Sequence, residues 1–283
     1  MRKLDNHFVN QLKTGGLFNP IVETIINDTT LDFEIRDGYI NIYFKGNSIL
    51  KLNENGTYEI HKKFLIGTGL TKTNFSSAKD ISDYLNLLPT IKNNVIKVKS
   101  KRPTLEIEYE QLLIRSNNLN KNVNSEIYLT DRQYADNINN SRFDLSGFFW
   151  SRKNRKRNQI VPLTFIEIKY SLNPDISDID KQIDKYYNAV KSNISDIATE
   201  TEYLKNLKIE LGLINQTKDR LDAIKTLRIS DRIEETKFIV ALIDYNPNSK
   251  LFDKTKLTSL SFSNQIELFN CGLAIWNDYL TKI

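Results

Sequence analysis

Val161-Pro-Leu-Thr-Phe-Ile-Glu-Ile-Lys-Tyr170 is the stretch on which the reading of this chain turns. Side chains alternate faces along an extended strand. Leu163, Phe165, Glu167 and Lys169 therefore share one face, and Ile166 and Ile168 share the other. The first face changes from apolar to charged toward the C-terminal end. A carboxylate and an ammonium at the mouth of a core are costly to desolvate unless they pair or bind something. Upstream, Arg142-Phe-Asp-Leu-Ser-Gly-Phe-Phe149 reads as a second strand with Asp144 among apolar neighbours. If the two strands pair antiparallel through the intervening loop, Asp144 approaches Glu167. Two convergent carboxylates suit Mg²⁺ (or Mn²⁺), which prefers oxygen ligands and keeps several waters. A lysine beside them can orient or deprotonate an attacking water and stabilise charge on phosphorus.

Outward from this pair, apolar spacing predicts a helix over 104–116, with Leu105, Tyr109, Leu112 and Leu113 on one face. Strands follow at 126–132, 142–150 and 161–170, then a helix over 179–190 and a longer helical region over about 196–227. A buried-type strand is expected at 237–245 and a short one at 273–276. The N-terminal part reads differently. Two short helices fit 6–27, interrupted by Gly15, Gly16 and Pro20. Residues 31–65 alternate as an antiparallel meander with turns at Asp37-Gly38, Lys45-Gly46-Asn47 and Asn53-Glu-Asn-Gly56. A helix over 77–93 is expected to end near Pro89, and the polar, basic stretch 92–103 is the candidate boundary. The chain is thus read as α/β, with a helix and β-meander module over 1–100 and a second domain over 101–283.

The scarce residues narrow the chemistry. His7 and His61 are the two histidines, and both lie far from Asp144 and Glu167 in sequence, so a His-rich zinc site or a Ser-His-Asp triad does not fit. Cys271 is the single cysteine, which leaves no disulfide framework. No run of apolar residues is long enough to span a bilayer, and the N-terminus lacks the apolar region of a signal peptide, so a cytoplasmic location without membrane contact is expected. The net charge of +5 is compatible with a polyanionic partner without demanding one, because 35 acidic residues offset 40 basic ones. Gly67-Thr-Gly-Leu-Thr-Lys-Thr73 has the wrong spacing for a phosphate-binding loop and is read as an ordinary loop. Tyr43 and Phe44 fit either base stacking or a strand core.

Asp144 followed by Glu167-Ile168-Lys169 closing an apolar strand resembles the Asp…Glu-x-Lys signature of the PD-(D/E)XK nuclease superfamily. The order of helix, three strands, helix and strand is similar to that superfamily's core. Gln182-Ile-Asp-Lys-Tyr186 is similar to its Gln-xxx-Tyr motif, although Tyr186 also suits the apolar face of an amphipathic helix. Phe143 stands where the family has proline. The stretch Gln111-Leu-Leu-Ile-Arg-Ser-Asn-Asn118 resembles one found in uncharacterised bacterial nuclease-like proteins. The resemblance covers about residues 104–245. It implies a restriction-endonuclease-like core, a mixed central sheet flanked by helices. It also implies Mg²⁺-dependent hydrolysis of nucleic acid, DNA rather than RNA, and a setting in defence against foreign DNA, with a homodimer or a partner protein of a defence system. It further implies an extra metal-linked glutamate, Glu108 or Glu110, and Gln182 and Tyr186 as supporting residues. The alternative is a non-catalytic nucleic-acid-binding or assembly module on the same fold.

Between the two strands runs Arg152-Lys153-Asn154-Arg155-Lys156-Arg157, the densest basic run in the chain. As the loop joining the two site strands it is expected near the site. It reads either as a phosphate-backbone contact or as a solvated hairpin tip.

Overall fold

The structure, a computed structural model, describes residues 2–99, 105–136, 141–170, 174–274 and 276. The chain forms two compact units, Met1–Asn122 with Tyr203–Leu221, and Val123–Glu202 with Asp222–Ile283. The boundary expected after residue 100 falls instead after Asn122, and the first unit takes back a later stretch. Of the expected linker, 92–99 belongs to a helix and 100–103 lies outside the described residues.

The first unit opens with α1 (Asn6–Leu12), whose N-cap Asp5 accepts from the backbone N–H groups of His7 and Phe8. α2 (Asn19–Asn27) carries a proline in its first turn, where no backbone donor is lost. The antiparallel meander follows: β1 (Leu31–Ile35), β2 (Tyr39–Phe44), β3 (Asn47–Asn53) and β4 (Tyr58–Glu59) in that spatial order. The β2–β3 turn places Lys45 and Gly46 at φ 46° and 70°, the left-handed pair that matches strand twist in a two-residue hairpin. Phe44 is buried, and the Asn41 amide donates to the Tyr43 hydroxyl at 2.9 Å, so this strand end serves the core.

α3 (Ala78–Lys99) passes through Pro89 rather than ending there. Beyond the proline, Ile91 and Val95 are fully buried, and the Asn94 amide donates to the carbonyls of Phe64 and Ile66. Packing on the far side outweighs the one hydrogen bond that proline forfeits. The 67–73 loop is an ordinary one: Lys72 pairs with Asp80 of α3, which also accepts from Ser76.

α4 (Leu105–Ile114) explains the shifted boundary. The expected apolar face is not the buried one: Leu105 and Leu112 are exposed, whereas Glu110 and Gln111 are buried. Gln111 donates to Asp32 of β1 at 2.6 Å, and Glu108 pairs with Lys45 at 2.8 Å. A Cβ on Gly46 would lie 2.6 Å from the Ile107 side chain. These contacts bind α4 to the meander. Nearby, Lys208 and Glu34 form a buried ion pair at 3.2 Å, with Arg36 3.8 Å from the same carboxylate. Removing one member of such a pair strands the other charge. Lys208→Ala is therefore expected to lower stability by about 3 kcal/mol in urea denaturation. A loss below about 1 kcal/mol would show that Arg36 alone neutralises Glu34.

The second unit is built on a five-stranded mixed sheet of order β11-β10-β8-β6-β5. β5 (Ile127–Asp136), β6 (Ser141–Phe149) and β8 (Leu163–Tyr170) run antiparallel in succession. Pro162 splits the expected strand, so β7 (Ile160–Val161) pairs instead with β9 (Arg228–Ile229). After β8 comes α5 (Ile179–Glu210), two helical segments that meet at a kink at Asn193 and whose end, from Tyr203, belongs to the first unit, then α6 (Lys218–Lys225). β10 (Lys237–Ile243) lies parallel to β8, which requires such a crossover. α7 (Lys254–Thr258) leads to β11 (Ile266–Cys271), parallel to β10 at the sheet edge. The expected strand at 273–276 is absent from its described residues, and residue 275 lies outside them. β8 and β10 are buried almost throughout, as central strands covered on both faces must be. Phe143, Phe165, Tyr186 and Phe238 pack as one aromatic cluster with centroids 4.4–5.9 Å apart. The chain is thus α/β, as its alternating pattern predicts. Among the described residues no helix is long and apolar enough to cross a membrane.

Candidate active site

The backbone pairing of β6 with β8 runs from Phe148↔Leu163 to Leu145↔Ile166 and ends there. Just past that end, the Ile168 N–H donates to the Asp144 carboxylate at 2.7 Å. A side-chain oxygen thus satisfies a backbone donor of β8 between Glu167 and Lys169. Beside them lies the aromatic cluster, which includes Phe143.

Glu167 is only 2% exposed. Its Oε1 accepts from Lys169 Nζ at 2.8 Å and from Gln182 Nε2 at 2.5 Å. Gln182 Nε2 also donates to the Tyr186 hydroxyl at 2.7 Å, one helical turn on. The i, i+4 spacing along α5 puts amide and phenol on one face of the helix. Tyr186 does both things its position permits: the ring joins the core and the hydroxyl holds Gln182.

Glu167 Oε2 is buried and has no hydrogen-bond partner among the described residues. A buried oxygen in that state favours either a proton or a cation. Burial, and then the adjacent Asp144 charge, push the Glu167 carboxyl up to about 8, and Lys169 and Gln182 offset this only in part. Burial and the Glu167 charge likewise raise the Tyr186 phenol above its usual value.

A divalent cation would fit beside the partnerless Glu167 Oε2. Asp144 and Glu167 would then supply the one or two carboxylates with which proteins commonly hold Mg²⁺. Among the described residues no group of three His, Cys, Asp or Glu side chains could hold a metal. Glu108 and Glu110 lie on α4 of the first unit, where Glu108 pairs with Lys45 and Glu110 is buried.

No protein-family model, curated protein or solved structure matches this chain.

The structure therefore brings Asp144, Glu167, Lys169, Gln182 and Tyr186 together. The basic loop falls elsewhere. It joins the C-terminal end of β6 to the N-terminal end of β8, whereas Glu167 and Lys169 lie in the later half of β8. From Leu163 to Glu167 alone the strand rises about 13 Å. The expectation that a connecting loop must lie near the site is corrected by strand length. Arg152, Lys153, Lys156 and Arg157 are exposed. Arg155 is not: its guanidinium stacks on the Trp150 ring at 4.7 Å and bonds to Asn124 and the Ser125 carbonyl. It holds the loop to its own unit.

Three residues near the site had no signal of their own in the sequence reading. Asp131 and Arg132 are buried in β5, and Gln133 follows them in a left-handed conformation at φ 56°. The polar quartet Thr130-Asp-Arg-Gln133 inside a strand was the available clue.

Proposed function

We propose that this chain is a Mg²⁺-dependent nuclease of the PD-(D/E)XK type that hydrolyses phosphodiester bonds, DNA in preference to RNA. The observation that supports this best is the continuous polar set Asp144–Glu167–Lys169–Gln182–Tyr186, brought to one place around the buried Glu167 Oε2, which has no hydrogen-bond partner among the described residues. The mixed sheet with three antiparallel strands, a crossover helix and a parallel strand is compatible with a restriction-endonuclease-like core.

In this reading Asp144 and Glu167 hold the ion, which when bound supplies Lewis-acid polarisation of a phosphoryl oxygen and a more acidic water. Lys169 places its ammonium where the attacking water and the developing phosphate charge need it. Gln182 fixes the Glu167 carboxylate, and Tyr186 fixes Gln182. The cluster beside the site keeps water from that side of the pair. A role in defence against foreign nucleic acid, alone or with a partner, belongs to the same proposal. The test is degradation of linear double-stranded DNA, single-stranded DNA and RNA with Mg²⁺, beside calorimetric Mn²⁺ titration. Failure to cut any of them, with no metal heat, would leave the non-catalytic binding module.

The exposed lysine and arginines of the 152–157 loop suit backbone phosphates along a longer substrate, away from the scissile bond. Lys156→Ala with Arg157→Ala is expected to weaken DNA binding and make the dependence of log K on log salt shallower by about 2. Thermal stability should hold, because both side chains are exposed. Arg155→Ala should lower it, because that guanidinium is used internally. An unchanged isotherm at low salt for the double variant would mean a solvated tip.

A further inference from the structure

We infer that Gln133 is a substrate-contacting residue whose carboxamide donates to a phosphate oxygen at the Asp144–Glu167 centre; this rests on the nuclease reading above. The strand that carries it is distorted twice within four residues. The β5–β6 register steps from Leu129↔Gly147 to Asp131↔Ser146, so Thr130 is the extra residue of a bulge. A Cβ on Gly147 would lie 2.0 Å from the Tyr128 carbonyl oxygen, so the bulge draws β5 close against β6 there. Three residues on, Gln133 adopts φ 56°.

A side chain in that region crowds its own backbone, and glycine, asparagine or aspartate are the residues that tolerate it. Glutamine has no such advantage. Backbone held in a disfavoured region by its surroundings is a recurrent feature of ligand and active sites, as are strand bulges. The flanking residues here are buried: Asp131 and Arg132, between the two distortions, are each 1% exposed.

Register gives the place. Arg132↔Leu145 and Tyr134↔Phe143 bracket the position, so Gln133 stands across from Asp144 on the neighbouring strand. Directly opposed residues of an antiparallel pair have Cα atoms about 5 Å apart. The Gln133 side chain is half-buried, and among the described residues it makes no hydrogen bond or ion pair. A neutral amide is the donor suited to this spot. It offers N–H groups to a phosphate oxygen without a third negative charge beside the two carboxylates, and glutamine side chains are regular phosphate donors.

The test uses the full chain with Gln133→Gly, Gln133→Asn and Gln133→Glu. Melting temperature, Mg²⁺-dependent cleavage of linear DNA and RNA, and DNA affinity with Ca²⁺ in place of Mg²⁺ are measured. Gln133→Gly relieves the backbone, so its Tm should equal or exceed the parent's while KM rises about tenfold or more. Gln133→Glu keeps the shape and should raise KM at least as much. Gln133→Asn keeps an amide at an αL-tolerant residue and should fall between. KM and kcat within about twofold of the parent in both the Gly and Glu variants would overturn the contact while leaving the nuclease reading intact. A parent that cuts neither DNA nor RNA overturns the nuclease reading itself. Affinity then decides: a loss of about tenfold in Gln133→Glu keeps the contact in a binding site, and an unchanged or absent affinity overturns it too.

Discussion

Cleavage falls by about a thousandfold or more when Glu167 becomes Gln, Asp144 becomes Asn, or Lys169 becomes Met, a loss of the size seen when one charge-stabilising group is removed from a hydrolytic site. The three differ in what survives. Glu167→Gln and Asp144→Asn each weaken metal binding, read as a smaller calorimetric heat with Mn²⁺. Lys169→Met leaves the heat in place, because an ammonium is no ligand. DNA affinity without metal should hold or rise in the two carboxylate variants, since fewer negative charges then face phosphate. Isosteric changes are preferable to alanine. Alanine at 144 would strip the Ile168 N–H of its acceptor and cost about 1–3 kcal/mol, and alanine at 167 would remove one partner from each of Lys169 and Gln182. Parent-like stability is therefore expected only of changes that keep those bonds. Gln182→Ala should cost about 10–100-fold in activity, the usual effect of losing a group that orients a metal ligand. Equal cleavage by the parent and Asp144→Asn would place the activity elsewhere.

The second large effect is on stability against pH in the metal-free protein. Glu167 rises from its ordinary 4.5 to about 8, chiefly through burial and then through Asp144. Its folded pKa lies above its unfolded one, so the folded state holds the proton more tightly. That contribution is fully present below about 4.5 and is lost as pH rises through about 8. Between those values the slope is about −1.4 kcal/mol per pH unit, and the whole effect is of order a few kcal/mol. Tm without metal should therefore be higher near pH 5 than near pH 8.5, with Glu167→Gln flattening the difference. Mg²⁺ competes with the proton, so it should raise Tm more at pH 8 than at pH 5 and release protons on binding at neutral pH. A parent and Glu167→Gln pair with identical pH profiles would show that Glu167 is ionised throughout.

The two site strands and the helix after them were legible because each signal is local. Apolar alternation ending in Glu167-Ile168-Lys169 needs no tertiary knowledge, and Gln182 and Tyr186 are one helical turn apart. The meander was legible through its turns, Lys45-Gly46 above all. What failed was context. Pro89 announces a helix end, but Ile91, Asn94 and Val95 are packed beyond it. α4 shows an apolar stripe and buries Glu110 and Gln111 instead, because their partners lie on elements distant in sequence, such as Asp32 of β1. β11 was missed since Ile266–Cys271 is an exposed edge, with Leu268 and Phe269 partly in solvent, and shows no clean alternation. The bulge and the left-handed Gln133 leave no mark beyond the polar quartet 130–133, because neither glycine nor asparagine stands at 133 to announce the turn. Arg155 read as one cation in a basic run, and only Trp150 and Asn124 in space distinguish it from its neighbours.

The first unit is discontinuous in sequence, and that has a consequence during synthesis. Its core joins Phe8, Ile40 and Tyr84 to Leu204, Leu207, Leu211 and Leu213. A ribosome making this chain releases Asn122 and then must extend through β5, β6, β7 and β8 of the other unit before Leu213 exists. At roughly 5–20 residues per second that delay is about 5–20 s. For that time the nascent meander and its helices carry an uncovered apolar surface and a Glu34 carboxylate without Lys208. Synthesis order thus makes residues 1–122 a natural client for chaperones. It also means that a fragment cut at residue 122 is expected to aggregate, although nothing in its own sequence is aberrant.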